Sequence, residues 1–150
     1  MRSKLALPTF MLIASIGFAN NVLAFDYYAT KSISAKTMEQ RVYFVEPKDG
    51  AVVGQEVKVV MGVNGMEVKP AGVVEENVGH HHLLIDAPKQ VNAGEAVPAG
   101  KDEYRHFGKA QTETMIKLAP GKHTLTLQFA NGAHVSYGEK MRQTITVTAK

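Results

Sequence analysis

An all-β, immunoglobulin-like antiparallel β-sandwich of about six to seven strands is the fold class this sequence predicts, on three observations. Apolar residues recur with period two in several short runs; Gly, Pro and Asp turn signals separate those runs; and no stretch beyond the first 24 residues carries a sustained helical period. The chain has neither cysteine nor tryptophan. The disulfide and core indole of antibody domains are therefore excluded, and the sandwich must be held by burial alone.

Taken in order, residues 1–24 read as a secretory signal peptide. Arg2 and Lys4 form its charged start, "LALPTFMLIASIGF" its apolar middle, and "VLA" ending at Ala24 its cleavage site. The apolar stretch is shorter than the ~20 residues of a spanning helix and contains Pro8, and no cysteine follows to carry a lipid. The expectation is a periplasmic protein with no membrane anchor after signal removal. Taking 24 residues from 150 leaves 126, the size of one domain. The signal removes two of the 17 basic residues and none of the 14 acids, so the formal charge falls from +3 to +1. No basic run remains, which argues against nucleic acid as a partner.

Residues 25–40, "FDYYATKSISAKTMEQ", show no clean period and form a lead-in segment; the β-sandwich domain occupies 41–150. "RVYFVEP" is a short apolar strand stopped by Pro47, and "PKDG" a turn. In "EVKVVMGVNG", Val57, Val59, Met61 and Val63 share one face. "GHHHLLID" follows, then a long irregular stretch from Ala87 to Ala110, of the length that is usually functional or mobile. "QTETMIKL" sets Thr112, Thr114, Ile116 and Leu118 against Glu113, Met115 and Lys117. "HTLTLQFA" alternates most cleanly, with His123, Leu125, Leu127 and Phe129 on one face, and "RQTITVTA" closes the chain with Ile145 and Val147 inward. The glycines at 94 and 100 before Lys101 imitate a phosphate loop. Their spacing is one residue too long, no Ser or Thr follows the lysine, and Pro98 removes an amide.

Three of the six histidines lie in residues 80–82. In a strand, His80 and His82 point to one side about 6.6 Å apart, close enough to converge on one ion at about 2.0 Å each. His81 points the other way with Leu83 and Ile85, toward the core. His106, at the end of the long loop, and His134, in a turn between the last two strands, sit where function concentrates. The metal-ligand set read from sequence is therefore His80, His82, His106 and His134. His123 fits better as a strand-start histidine bonded to backbone. Asp86 either orients an imidazole of the set or caps a turn. Met66 and Met115 offer thioether sulfur that tilts a site toward copper(I). No catalytic residue emerges: Ser136 near His134 lacks a third, orienting group, and there is no cysteine nucleophile.

The strings "VYFVEPKDGAVV", "VNGMEVKPAG", "GHHHLLID", "HFGKAQTE" and "LAPGKHTLTLQFANGAHVSYG" together resemble the exported bacterial family numbered 4399 among the domains of unknown function. The likeness spans roughly residues 42–148 and implies a small secreted β-rich domain without an established activity. Its positions here are Gly79, His80, His81, His82, Asp86, His106, Phe107, Gly108, Pro120, Gly121, His123 and His134. The resemblance implies a further histidine in the last segment, where this chain has Tyr137; tyrosine, water or an open coordination position takes its place.

The functional expectation is an exported protein that binds, delivers or buffers a metal ion, copper ahead of zinc, because the compartment is oxidising and thiolates are absent. The alternative is a metal-free envelope module that holds a protein or glycan partner through a sheet edge or the 87–110 loop. A copper redox enzyme on the same sandwich ranks behind both.

Overall fold

The computed structural model describes residues 39–150; the expected signal peptide and the lead-in before Glu39 lie outside the described residues. Nine strands follow one another: β1 (Arg41–Glu46), β2 (Val52–Val53), β3 (Glu56–Asn64), β4 (Glu67–Val68), β5 (Val78–Ile85), β6 (Tyr104–His106), β7 (Glu113–Lys117), β8 (Gly121–Ala130) and β9 (Arg142–Ala149). One 3-10 turn, Glu139–Met141, precedes β9. The six long strands are those legible in the sequence, four (β3, β7, β8 and β9) by their period-two pattern and two (β1 and β5) as apolar runs. The additional ones, β2, β4 and β6, hold only two or three residues each, too few for a period to register.

Two sheets make the sandwich. One has the order β1-β3-β7; the other runs β2-β9-β8-β5-β4, with β6 added alongside β5. The long pairings are antiparallel, whereas β2 joins β9 and β4 joins β5 in parallel, so the larger sheet is mixed and the three-stranded one purely antiparallel. Between them lies the main core. Val42 and Phe44 of β1, Val57, Val59 and Met61 of β3, and Ile116 of β7 share it with Leu83 of β5, Leu125, Leu127 and Phe129 of β8, and Ile145 and Val147 of β9. Each such side chain contributes about 1.5–3 kcal/mol by leaving water, which is how the fold holds without a disulfide.

A second, smaller cluster lies on the other face of the larger sheet, where Val91 and Val97 cover Leu84 and Ala130. β5 is consequently buried on both faces along almost its whole length, and this explains why "HHHLLI" reads as a continuous run instead of alternating. The stretch expected to be irregular from Ala87 to Ala110 is thus anchored by its own apolar residues and contains β6. Charge-rich flanks hid that edge strand in the sequence.

Candidate metal centre

Strand geometry assembles the first part of the site. His80 and His82 lie two apart on β5 and share the face covered by the second cluster, while His81 takes the main-core side, edge-on to Phe129 at 5.1 Å between ring centroids. β6 pairs antiparallel with β5 so that His106 stands directly opposite His82. Its ring is accommodated by Gly108, where any Cβ would overlap His106 Cε1 and Nε2.

His134 arrives from the turn after β8. The side-chain oxygen of Asn131 accepts hydrogen bonds from Ala133 N at 3.0 Å and Val135 N at 2.9 Å, and His134 N donates to Asn131 O at 2.9 Å. This winds His134 into the left-handed region at φ 65°, a conformation that costs a non-glycine residue energy and needs such support. The long loop braces the turn, since Val97 N donates to His134 O and Ser136 N to Glu95 O, both at 2.9 Å. Because β8 and β5 are paired with Ala130 opposite His80, a turn that begins at Asn131 carries its histidine back over His80.

All four sequence-predicted histidines come together. Every pair of rings among His80, His82, His106 and His134 has its centroids between 4.7 and 5.8 Å apart. The Nε2 atoms of His80 and His82 approach to 3.1 Å, and those of His106 and His134 to 3.0 Å. Four nitrogens bound at 2.0–2.1 Å to one ion would stand about 3.3–3.4 Å apart in a tetrahedron and about 2.8–3.0 Å apart for neighbours in a plane. These two pairs fall between, and the ligand nitrogens of His80, His82 and His106 all lie within 4.8 Å of one another, the proximity that a shared ion requires. His80 and His82 form a buried floor at 0% and 1% exposure, whereas His106 is exposed and opens on a groove of about 600 Å³ bordered by Lys101, Asp102, Glu103 and Tyr104.

The electrostatics favour neutral rings. Burial, followed by the neighbouring His106 and His134, lowers His80 to about 4; burial, followed by His80 and the other rings, lowers His82 to about 3. Burial also lowers His106, with His134 adding to it. Imidazoles that resist protons at neutral pH present free lone pairs to a metal. Among the described residues no carboxylate hydrogen-bonds to them, and the Nδ1 atoms of His80 and His82 have no partner.

The other sequence candidates are placed elsewhere. Asp86 does not serve the cluster: its Oδ2 accepts from His123 Nδ1 at 2.6 Å and its Oδ1 from Thr124 N at 2.7 Å, at the opposite end of β5. His123 makes the expected backbone bond, from Nε2 to Ala119 O at 2.8 Å. Met115 is 57% exposed on β7, and Met66 packs against the main core. Tyr137 lies over Phe129 and donates its hydroxyl to Val78 O at 2.7 Å. It joins the main core, and His134 supplies the fourth imidazole. Gly108, which shapes the site, stood in the sequence only among the positions of the family resemblance, although a glycine two positions after a histidine can be checked for such a fit.

Comparison with known proteins adds the family. Residues 59–150, which include all four histidines, match the family described as Domain of unknown function (DUF4399), and the chain belongs to that family. No curated protein and no solved structure matches the chain.

Proposed function

We propose that this chain is an exported metal-binding β-sandwich protein that uses His80, His82, His106 and His134 to bind, deliver or buffer a single ion, copper ahead of zinc. The observation that carries the reading is the convergence of four imidazoles, two on the sheet floor and two at the mouth, three of which, His80, His82 and His106, have ligand nitrogens within 4.8 Å of one another. Imidazole suits both ions, and nitrogen sites hold copper(II) more tightly than zinc, so an all-nitrogen set without thiolate favours copper. When bound, the ion would supply positive charge and a Lewis-acid centre at the exposed side of the cluster. The chain itself contributes orientation, through the β5–β6 register and the Asn131 turn, and a dry floor. The part of copper's case that rested on Met66 and Met115 drops out, because their thioethers are committed to the core and to the surface.

The test is metal content and titration of tag-free protein with copper(II), copper(I) and zinc, with His80→Ala/His82→Ala as the comparison. One ion per chain is expected. Because a four-ligand site is worth about 10–16 kcal/mol, losing two ligands should weaken binding more than about a thousandfold. Binding unchanged in the double variant sinks the proposal.

The metal-free interaction module keeps one supporting feature, the open edge of its sheet at β7 with Met115 exposed. Its other suggested surface, the long loop, has Val91 and Val97 buried. Partner capture that survives chelation and is lost on substitution along β7 would favour this reading.

A further inference from the structure

Gln128 is wholly buried in β8 and stands directly opposite His82 in β5. Residues paired in this way share a sheet face with Cβ atoms about 4.5–5.5 Å apart. The amide nitrogen of Gln128 faces three carbonyls, Phe129 O at 3.3 Å, Gly138 O at 3.2 Å and Met141 O at 3.0 Å. Three acceptors require a donor, so the orientation of the amide is settled by its surroundings. Among the described residues its oxygen, on the other side, is buried and has no donor; across the pair, Nδ1 of His82 is buried and has no acceptor. The two atoms are not bonded to each other in the structure; an adjustment of the two side chains that brought them into contact would satisfy both with a single hydrogen bond.

We propose that Gln128 is the positioning residue of the histidine cluster: its carboxamide oxygen takes the Nδ1 proton of His82 and so leaves Nε2 of that ring bare for a metal ion. The proposal rests on the metal-binding reading for its purpose but not for its geometry. The consequence reaches His80 as well. Their Nε2 atoms stand 3.1 Å apart, and between two neutral rings one nitrogen must donate and the other accept. With its proton held at Nδ1, His82 is the acceptor and His80 the donor. The metal-free protein therefore stores His82 in the metal-ready tautomer, and of this pair only His80 must move its proton from Nε2 to Nδ1 when an ion binds. Outer-sphere hydrogen bonds that fix a ligand tautomer change metal affinity by about 10–100-fold.

Long-range proton–nitrogen NMR on protein with labelled histidines reads each tautomer directly. In metal-free wild type at neutral pH, His82 is expected to carry its proton on Nδ1 and His80 on Nε2; zinc then moves the His80 proton to Nδ1. Gln128→Met should abolish the preference at His82 and weaken zinc binding about 10–100-fold. Ile145→Val, a core change that lowers stability away from the cluster, should leave tautomer and affinity alone. A wild-type His82 protonated on Nε2 overturns the proposal even if Gln128→Met does not fold, and so does a folded Gln128→Met protein with unaltered tautomer and affinity. A wild type that holds His82 as expected but binds neither zinc nor copper overturns the metal reading and supports the role of Gln128.

Discussion

The two ends of β5 place histidine in opposite chemical settings. At the start of the strand, His80 and His82 meet His106 and His134, so each imidazole has other imidazoles for neighbours and burial makes a charge costly. Beyond its end, His123 lies between the Asp86 carboxylate and the Ala119 carbonyl, two acceptors that only a doubly protonated ring satisfies together. The hydrogen bond to Asp86, reinforced by the one to Ala119, raises the His123 pKa, whereas His80, His82 and His106 are lowered. One residue type thus yields a metal-ready lone pair at one end and a cationic clasp at the other, and the partner atoms decide which.

Stability against pH gives the largest expected contrast. His80, His82 and His106 are depressed, so an unfolded chain takes up protons that the metal-free native state refuses. Their contribution is complete above the ordinary value of 6.5 and is lost as the pH falls toward about 4 for His80 and about 3 for His82. His123 runs the other way: its contribution is complete below 6.5 and is lost as the pH rises through its elevated folded value. In metal-free protein, melting between about pH 4 and pH 9 should show an acid limb that His80→Ala/His82→Ala flattens and an alkaline limb that His123→Gln flattens. If either variant changed both limbs equally, the two ends would not be independent.

Gly108→Ala sharpens the contrast at the cluster end alone. The new methyl would overlap the His106 ring, which must swing away. The backbone of Gly108 is not in the left-handed region, so the fold tolerates alanine. Zinc affinity is expected to fall about 10–100-fold, the scale on which misdirected ligands are felt, while circular dichroism and the alkaline limb stay as in wild type. Unchanged affinity would mean that His106 is dispensable to the site.

Much of this was legible in the sequence because strands have a fixed period. Val57, Val59 and Met61, or Leu125, Leu127 and Phe129, announce their faces, and the same period puts His80 with His82 and sends His81 inward. Convergence of His106 and His134 was not legible, since it depends on a three-residue edge strand and on a turn held by Asn131. Asp86 shows where the period ends. Parity assigns it to the face of His82, but its φ of 48° turns the chain out of the strand and delivers the carboxylate to His123. The burial of Leu84 also escaped local reading, because its cover, Val91 and Val97, comes from further along the chain.

The smallest expected effect belongs to Met115, and its value lies in being small. Its side chain is 57% exposed in the middle of β7, opposite Lys58 of β3, in the sheet that holds none of the four histidines. A serine there removes the thioether and leaves the backbone ladder intact. Surface changes of this kind stay within about 0.5 kcal/mol, and the corresponding change in affinity is about twofold or less. Met115→Ser should therefore leave the melting temperature and the affinities for zinc, copper(II) and copper(I) as they are. Selective weakening of copper(I) binding, tenfold or so, would have a different meaning. A soft ligand would then reach the cluster from the other sheet, and the site would no longer be the all-imidazole counterpart of the His123 clasp.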